Sequence, residues 1–276
     1  MANLGKPGVV STTPDAPATI DPNRPSAARI YDAFLGGTHN FAADRAVAAR
    51  AVELLPEIPL IVRANRAFLR RAVRYATDHG ICQFLDLGSG IPAEGNVHEV
   101  ARSTTPDARV VYVDIDPTAV LYGRHVLGDD PHAAVVHGDL QQPGVLLDEP
   151  EVRDLLDLSR PIAVLMIAVL HFVPDSPALD SAMVAYREAV VPGSHLAISH
   201  VTAEARPELV DSVTDLYNRT GTPLVPRAHR QVTRFFDGWR LAAPGLVPVP
   251  EWRPAAGDLR LPEAIASVSL AGVGVK

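Results

Sequence analysis

The stretch QFLDLGSGIPAEGNVHE, residues 83–99, decides the fold of this chain. An apolar run with the character of a strand leads to Asp86, and Gly88 and Gly90 follow it in G-x-G spacing before a helix begins. A strand, a tight glycine turn and a helix start are typical of the first ligand-binding unit of an open α/β sheet. The third glycine of the dinucleotide fingerprint is missing, because Ala93 stands in its place. The turn is therefore predicted to hold a ligand other than a dinucleotide pyrophosphate.

Beyond this stretch, strand-like and helix-like segments alternate along the chain. The strands carry almost unbroken apolar runs, as in PIAVLMIAVLHF at residues 161–172, and such runs are typical of a parallel sheet covered by helices on both faces. The pattern predicts a doubly wound, Rossmann-like α/β domain over residues 81–276. A helical segment at residues 26–80 precedes it. Residues 1–25 are rich in proline, threonine and alanine and are predicted to be a flexible leader, so that deleting residues 1–24 should change neither stability nor ligand binding.

The composition limits the possible function classes. The chain has 276 residues, of which 47% are hydrophobic, and a formal net charge of -7. It can bury a large core, whereas binding to nucleic acid, which needs clustered Lys and Arg, is not expected. The longest apolar run, residues 162–173, is too short to cross a bilayer, and no signal-peptide pattern is present. We predict a soluble, cytoplasmic protein without a membrane partner, and the oligomeric state stays open.

Three carboxylates stand at the ends of three successive predicted strands. They are Asp86 in FLDL, Asp114 in VYVDID and Asp139 in HGDL. One such acid could simply cap a turn, but three at the same edge of a parallel sheet indicate a shared cleft, because ligands of open sheets bind at that edge. A carboxylate just before the glycine turn fits a diphosphate poorly. It fits a ligand that carries an ammonium group and a sulfonium, as S-adenosylmethionine does.

The same segments resemble the motifs of class I S-adenosylmethionine-dependent methyltransferases. FLDLGSGIP resembles motif I, VYVDID resembles the motif whose acid takes the ribose hydroxyls, and HGDL resembles the position whose acid faces the adenine amino group. AVLMIAVLHFV stands in the place of motif IV, which lines the reaction centre. The resemblance implies a mostly parallel sheet of seven strands and a helical lid at residues 26–80. The cofactor-binding positions that it implies are Asp86, Gly88, Gly90, Asp114, Ile115, Asp139, Leu140 and Leu170.

A longer resemblance covers roughly residues 25–254. RPSAARIYDAFLGGTHNFAADRAVA, GIPAEGNVHEVA and FFDGWRLAAPGLVPVPEWRP are similar to a family of S-adenosylmethionine methyltransferases of unassigned physiological role. This family is found mainly in actinomycete bacteria and was long catalogued as a domain of unknown function. The resemblance implies an enzyme that transfers a methyl group from S-adenosylmethionine to a small-molecule acceptor.

Five polar side chains lie close together in the predicted helix-turn-helix before the sheet. They are Tyr31, Asp32, His39, Asn40 and Asp44. The neighbouring pair Gly36-Gly37 can absorb backbone rotation, as a lid requires. We predict that this segment closes over the cofactor and that at least two of the five contact the cofactor or the acceptor. The alternative is that Asn40 and Asp44 cap or pair locally.

His171, at the end of the fourth predicted strand, is the candidate catalytic residue. An ordinary imidazole pKa suits a general base, and the alternative is that the ring packs beside the cofactor without proton transfer. The other histidines considered, His195, His200 and His229, show no metal-ligand spacing, and no metal site is predicted.

A stripe of arginines precedes the first strand, at Arg63, Arg66, Arg70 and Arg74. The stripe is typical of a solvated helix face, and the alternative is a contact with an anionic ligand or partner.

Two other functions share most of these features. An NAD(P)-dependent oxidoreductase would share the fold and Asp114, but it should carry the third glycine. A non-catalytic S-adenosylmethionine-binding sensor or partner protein would keep every cofactor motif.

Overall fold

The structure is a computed structural model and describes residues 20–276. Residues 1–19, which make up most of the predicted leader, lie outside the described part. The helices are α1 (Ala27–Leu35), α2 (Ala42–Leu54), α3 (Ile58–Asp78), α4 (Val97–Arg102), α5 (Pro117–Leu127), α6 (Pro143–Leu146), α7 (Pro150–Leu155), α8 (Pro177–Ala189), α9 (Pro207–Asn218), α10 (His229–Arg234) and α11 (Glu263–Ala266). The strands are β1 (Gln83–Leu87), β2 (Arg109–Asp114), β3 (Ala133–His137), β4 (Ala163–Ile167), β5 (His195–Val201), β6 (Arg240–Leu241), β7 (Val247–Pro248) and β8 (Ser269–Val275). Short 3-10 turns cover Leu170–Phe172 and Val249–Glu251.

The strands form a single sheet in the order β3-β2-β1-β4-β5-β8-β6, with β7 also paired to β8. The first five strands in this order run parallel, and β8 runs antiparallel to β5, β6 and β7. The strand order reverses between β1 and β4, which is where open sheets of this kind bind ligands. The predicted doubly wound, mostly parallel fold is confirmed. The sheet has eight strands where seven were predicted, because β6 and β7 are separate two-residue strands on β8.

Helices cover both faces of the sheet, because successive strand residues point to opposite sides. On one face, Leu85 and Met166 pack in a core with Leu146 of α6 and Tyr186 of α8. On the other face, Phe84 packs with side chains of α3, α4 and α5. The unbroken apolar content of the strands follows from this double coverage.

The segment at residues 26–80 contributes to two apolar clusters. Helix α3 places Phe68 and Val73, both fully buried, in the core on the sheet face. Helices α1 and α2 take part in a separate cluster, which they share with α9 and, through Ile58 and Val62, with the first turns of α3. We call α1, α2 and the turn between them the cap, and α3 joins the cap to the sheet.

The ends of α1 follow from its sequence. The Ser26 side chain accepts a hydrogen bond from the backbone N–H of Arg29 at 3.3 Å, which is the usual N-cap arrangement. Gly36 ends the helix in the left-handed conformation with φ 79°, which a residue with a Cβ adopts only with strain.

Within residues 20–276, none of the helices has the length and apolar content that a membrane crossing requires.

Candidate functional site

The glycine turn after β1 is held against the neighbouring strand β2. The backbone N–H groups of Gly88 and Ser89 both donate to the carbonyl of Val113, at 2.8 and 3.1 Å. Gly88 has φ 72°, and a Cβ built on it would lie 2.2 Å from Cγ2 of Val169, which follows β4. The turn therefore brings the ends of β1, β2 and β4 together, and only glycine fits at its first position.

We predict that Gly88→Ala destabilises the protein by about 2–3 kcal/mol, because it combines a left-handed backbone with an overpacked contact. Thermal or urea unfolding followed by circular dichroism measures this effect. The matched control is Gly144→Ala in α6, where a Cβ meets no atom within 4 Å. Equal stability of the two variants would contradict the proposed contact with Val169.

Gly90, the second glycine of the turn, points its backbone N–H at a carboxylate. Its N–H donates to Oδ2 of Asp114 at 2.7 Å. A dinucleotide site would need this N–H group free for a pyrophosphate. In this protein the turn instead fixes an acidic side chain at the end of the neighbouring strand.

Asp114 is buried and held by a second hydrogen bond. Its Oδ1 accepts from the backbone N–H of Asp116 at 2.8 Å. Burial raises the pKa of Asp114 to about 6, and the N–H groups of Asp116 and Gly90 limit the rise. The carboxylate is therefore fixed in place, with lone pairs left for a ligand.

Asp86 is a buried acid that forms no ion pair and accepts no side-chain hydrogen bond among residues 20–276. Its side chain is 4% exposed and lines the same space as Asp114. No hydrogen bond to its carboxyl group is found among residues 20–276, and burial raises its pKa to about 7 against the opposing charge of Arg66. A buried carboxylate costs free energy unless a partner compensates it. A cationic group in this space would compensate the charge of Asp86.

The next strand contributes a third acid to the same edge. Asp139 follows β3, and its Oδ1 accepts from the backbone N–H of Gln141 at 2.9 Å. Leu140 is buried beside it, whereas Ile115, after β2, is 65% exposed at the rim. All three side chains line the same cavity as the two buried acids.

This space, which we call the large cavity, has a volume of about 830 Å³. That volume lies within the ordinary range for small-molecule sites. Of the eight predicted cofactor positions, the structure brings seven to its wall. They are Asp86, Gly88, Gly90, Asp114, Ile115, Asp139 and Leu140.

Leu170, the eighth position, does not reach the large cavity. The chain turns sharply after β4 because Ala168 adopts φ 57°, and the 3-10 turn that follows buries Leu170 completely in the sheet core. Ala168 and Val169 line the large cavity instead. The structure thus does not place the Leu170 side chain with the other seven positions, since the strand ends earlier than its apolar run suggests.

The end of the predicted leader also forms part of this wall. Ile20, Asp21, Arg24 and Pro25 line the large cavity. The carbonyl oxygens of Asp21 and Arg24 accept hydrogen bonds from the buried guanidinium of Arg29. The expectation that residues 1–24 can be removed without consequence is therefore wrong for residues 20–24, which are tied to α1.

Among the five predicted lid side chains, only Tyr31 lines a cavity. Asp32 accepts from the backbone N–H of His39 and from Nδ2 of Asn40, at 2.9 and 2.7 Å. Asp44 is fully buried and accepts from the backbone N–H of Phe41 at 2.8 Å.

The ring of His39 packs against Tyr122, with 4.1 Å between centroids. The ligand contacts predicted for Asp32, His39, Asn40 and Asp44 stay predictions, and the local contacts favour the alternative of capping and pairing. Local capping and pairing satisfy these polar groups.

A second space, the small cavity, lies under the cap and has a volume of about 120 Å³. It shares Tyr31, Asn65, Ala168 and Phe172 with the wall of the large cavity. His171 is 5% exposed and lines the small cavity rather than the large one. The candidate catalytic residue therefore stands away from the three acids.

Sequence analysis did not single out Arg66 within the arginine stripe. Arg66 lines the large cavity, and its Nη2 donates to the carbonyls of Glu94 and Gly95 at 3.3 and 3.1 Å. Its buried Nε has no partner among the described residues. Arg63 and Arg74 are exposed, as a solvated face requires. The spacing of the four arginines does not indicate that Arg66 turns toward the loop at Glu94 and Gly95.

Comparison with known proteins extends these observations. The sequence model of the S-adenosyl methyltransferase family matches residues 13–276. A solved "putative methyltransferase" from Thermobifida fusca YX is 39% identical, with 92% of this chain and 96% of that chain covered and a TM-score of 0.86. A DUF574 family protein from Streptomyces avermitilis MA-4680 is 37% identical, with coverage of 92% and 98% and a TM-score of 0.87. No curated protein matches the sequence. The chain therefore belongs to the S-adenosyl methyltransferase family and is a methyltransferase with S-adenosylmethionine as its cofactor, as its motifs predicted.

Proposed function

We propose that the large cavity binds S-adenosylmethionine and that the protein methylates a small-molecule acceptor next to it. The observation that carries the proposal is the unpaired Asp86 carboxylate, which is 4% exposed and faces the large cavity. An ammonium group is the ligand chemistry that such a carboxylate favours, because a buried charge is tolerated when it is paired.

The other groups on the wall fit the rest of the cofactor. Asp114 is proposed to accept hydrogen bonds from the ribose hydroxyls, since two backbone N–H groups already fix the orientation of its carboxylate. Asp139 is proposed to face the adenine amino group, with Ile115 and Leu140 beside the ring. Arg66 is proposed to bind the carboxylate of the methionine part, because its buried Nε lacks a partner among the described residues.

Bound S-adenosylmethionine would supply a methyl group: an electron pair of the acceptor bonds to the methyl carbon as the bond from that carbon to the positively charged sulfur breaks, which leaves a neutral thioether. The protein has to align the two partners and keep water out. Residues of the segment 20–25 and of α1 help to exclude water, because they line the large cavity together with the strand ends.

His171 is proposed to form part of the cavity wall without taking up a proton from the acceptor. Its Nδ1 accepts the backbone N–H of Val201 at 3.4 Å. Burial, followed by the influence of His200 and Arg227, holds the pKa of His171 well below its usual value. A base with so low a pKa is inefficient near neutral pH. The structure therefore favours the alternative in which this ring packs without proton transfer.

A cytoplasmic location and the absence of a nucleic acid partner stay predictions from the sequence.

Mass spectrometry of the purified full chain tests the cofactor assignment. We expect release of S-adenosylmethionine or S-adenosylhomocysteine when the protein is denatured after purification without added ligand. A protein freed of ligand and then incubated with an equimolar mixture of S-adenosylhomocysteine and NAD should retain only the former. Retention of NAD alone would contradict the proposal.

A further inference from the structure

We propose that the small cavity holds an uncharged, ring-sized apolar part of the methyl acceptor and that the hydroxyl of Tyr217 forms a hydrogen bond with it. This inference rests on the proposed function, because it takes the large cavity as the site of the cofactor. It adds the chemical class of the acceptor and the residue that recognises it.

The position of the small cavity supports the first part. Four residues, Tyr31, Asn65, Ala168 and Phe172, line both cavities, so that a molecule seated in one borders on the other. These residues come from α1, α3 and the segment after β4. A methyl donor in the large cavity is therefore adjacent to whatever occupies the small one.

The chemistry of the wall excludes a charged group. No Asp, Glu, Lys or Arg of the described residues lines the small cavity, and most of its lining side chains are apolar. The titratable groups that face it from each element are Tyr31 in α1, His171 in the 3-10 turn, His200 in β5 and Tyr217 in α9.

All four groups are neutral near pH 7. Burial raises the pKa values of the two tyrosines, lowers that of His200 to about 4 and holds that of His171 well below its usual value. An ionised ligand would lose its hydration there without a counter-charge.

The volume sets the size of the occupant. The small cavity measures about 120 Å³, and an apolar protein cavity of about 150 Å³ binds benzene. The space is thus close to that needed for one aromatic ring or a group of similar size.

The side chains that the two cavities share hold one another in place. Ser199 donates from Oγ to Oδ1 of Asn65 at 2.6 Å, and it accepts from the backbone N–H of Ala168 at 2.9 Å. Nδ2 of Asn65 donates to the hydroxyl of Tyr31 at 3.0 Å, which in turn donates to the carbonyl of Val62 at 3.1 Å. These polar groups already have partners and fix the shape of the shared wall.

Tyr217 is different, because its hydroxyl makes no hydrogen bond to any residue between 20 and 276. The residue is 5% exposed and lines the small cavity. Its hydroxyl oxygen is not among the fully buried unpartnered atoms of the described residues, so it borders on open space. A phenol hydroxyl among apolar side chains usually finds a hydrogen-bond partner. A polar group of the ligand would supply one here.

Ligand-observed NMR with the full chain, saturated with S-adenosylhomocysteine at pH 7.5, tests the inference with three probes. Phenol and toluene are neutral and ring-sized, and benzoate adds a negative charge to the same ring. We expect phenol and toluene to bind and benzoate to bind at least about tenfold more weakly. Equal binding of benzoate, or no binding of phenol, would overturn the inference.

Two variants separate recognition from packing. Tyr217→Phe should weaken phenol binding by about three- to tenfold, the effect of one hydrogen bond, and leave toluene binding unchanged. Val213→Phe, which fills the small cavity, should weaken both neutral probes, whereas the control Val184→Phe at an exposed position of α8 should weaken neither. Equal losses of phenol and toluene in Tyr217→Phe would show a structural role only and contradict the assignment.

Calorimetric titration of S-adenosylhomocysteine into each sample keeps the two proposals apart. If this ligand binds and phenol does not, the acceptor site is wrong and the cofactor site stands. If it does not bind to the folded wild-type chain, the proposed function itself fails.

Discussion

Arg29→Met is expected to destabilise the protein by about 3–5 kcal/mol, the usual effect of leaving one partner of a buried ion pair alone. Arg29 is 4% exposed and Asp44 is fully buried, and Nε of Arg29 lies 2.9 Å from Oδ2 of Asp44. The guanidinium also donates to Oγ1 of Thr118 at 3.1 Å. It therefore joins both helices of the cap to the start of α5, and its loss leaves a buried carboxylate without a counter-charge.

Urea unfolding of a matched set of variants measures this effect. The double variant Arg29→Met with Asp44→Asn should recover part of the loss, because it removes the uncompensated charge and keeps an acceptor for one of the two N–H groups, of Ser26 and Phe41, that Asp44 binds through separate oxygens. The control Arg153→Met disrupts an exposed pair with Asp148 and should change stability by less than about 0.5 kcal/mol. Loss of stability in the control as large as in Arg29→Met would contradict the role of burial.

The sequence predicted the sheet and the acidic edge of the site because both depend on local pattern. Apolar strand runs, glycine spacing and an acid at each strand end are visible along the chain. Their meeting point follows from the parallel arrangement. Asp86, Asp114 and Asp139 therefore reach the same cavity as predicted.

The parts that the sequence did not predict depend on contacts between distant segments. Arg66 approaches the loop at Glu94 and Gly95, and residues 20–25 lie across the strand ends. The Tyr217 hydroxyl makes no hydrogen bond within residues 20–276 because of how α9 packs against the cap, and no spacing in the sequence indicates it. The position of Leu170 away from the large cavity has a backbone cause, since the left-handed conformation of Ala168 redirects the chain after β4.

The polar residues of the cap show a second limit to predicting site residues from the sequence. Aspartate and asparagine in a short turn satisfy backbone N–H groups as readily as they bind ligands. Asp32 and Asn40 do so here, and only the folded structure separates the two roles.

Asp86→Asn is expected to weaken S-adenosylmethionine binding by about 10- to 100-fold, because it removes a charge-assisted hydrogen bond to the ammonium group. The unliganded variant should at the same time be more stable than the wild type at pH 8. Burial raises the pKa of Asp86 to about 7 in the folded protein, above its ordinary value of 3.8. The native state therefore binds more protons than the unfolded state between these values, and stability due to this group is lost as the pH rises toward 7 and above.

The same pKa gives the wild-type affinity a pH dependence. Binding requires the ionised carboxylate, so affinity should fall about tenfold between pH 8 and pH 6 through Asp86. Asp114, with a pKa of about 6, should add about a twofold loss at the lower pH. The positive charge of Arg66 opposes protonation of Asp86. In Asp86→Asn only the smaller dependence due to Asp114 should remain.

Calorimetric titration of S-adenosylmethionine into the wild type, Asp86→Asn and the exposed control Asp148→Asn at pH 8 tests the cofactor site most directly. We predict a micromolar dissociation constant, about -7 to -8 kcal/mol, for the wild type and the control. Asp86→Asn should bind 10- to 100-fold more weakly while its unfolding midpoint rises. An unchanged dissociation constant in a folded Asp86→Asn protein would contradict the conclusion that this buried carboxylate holds the cofactor.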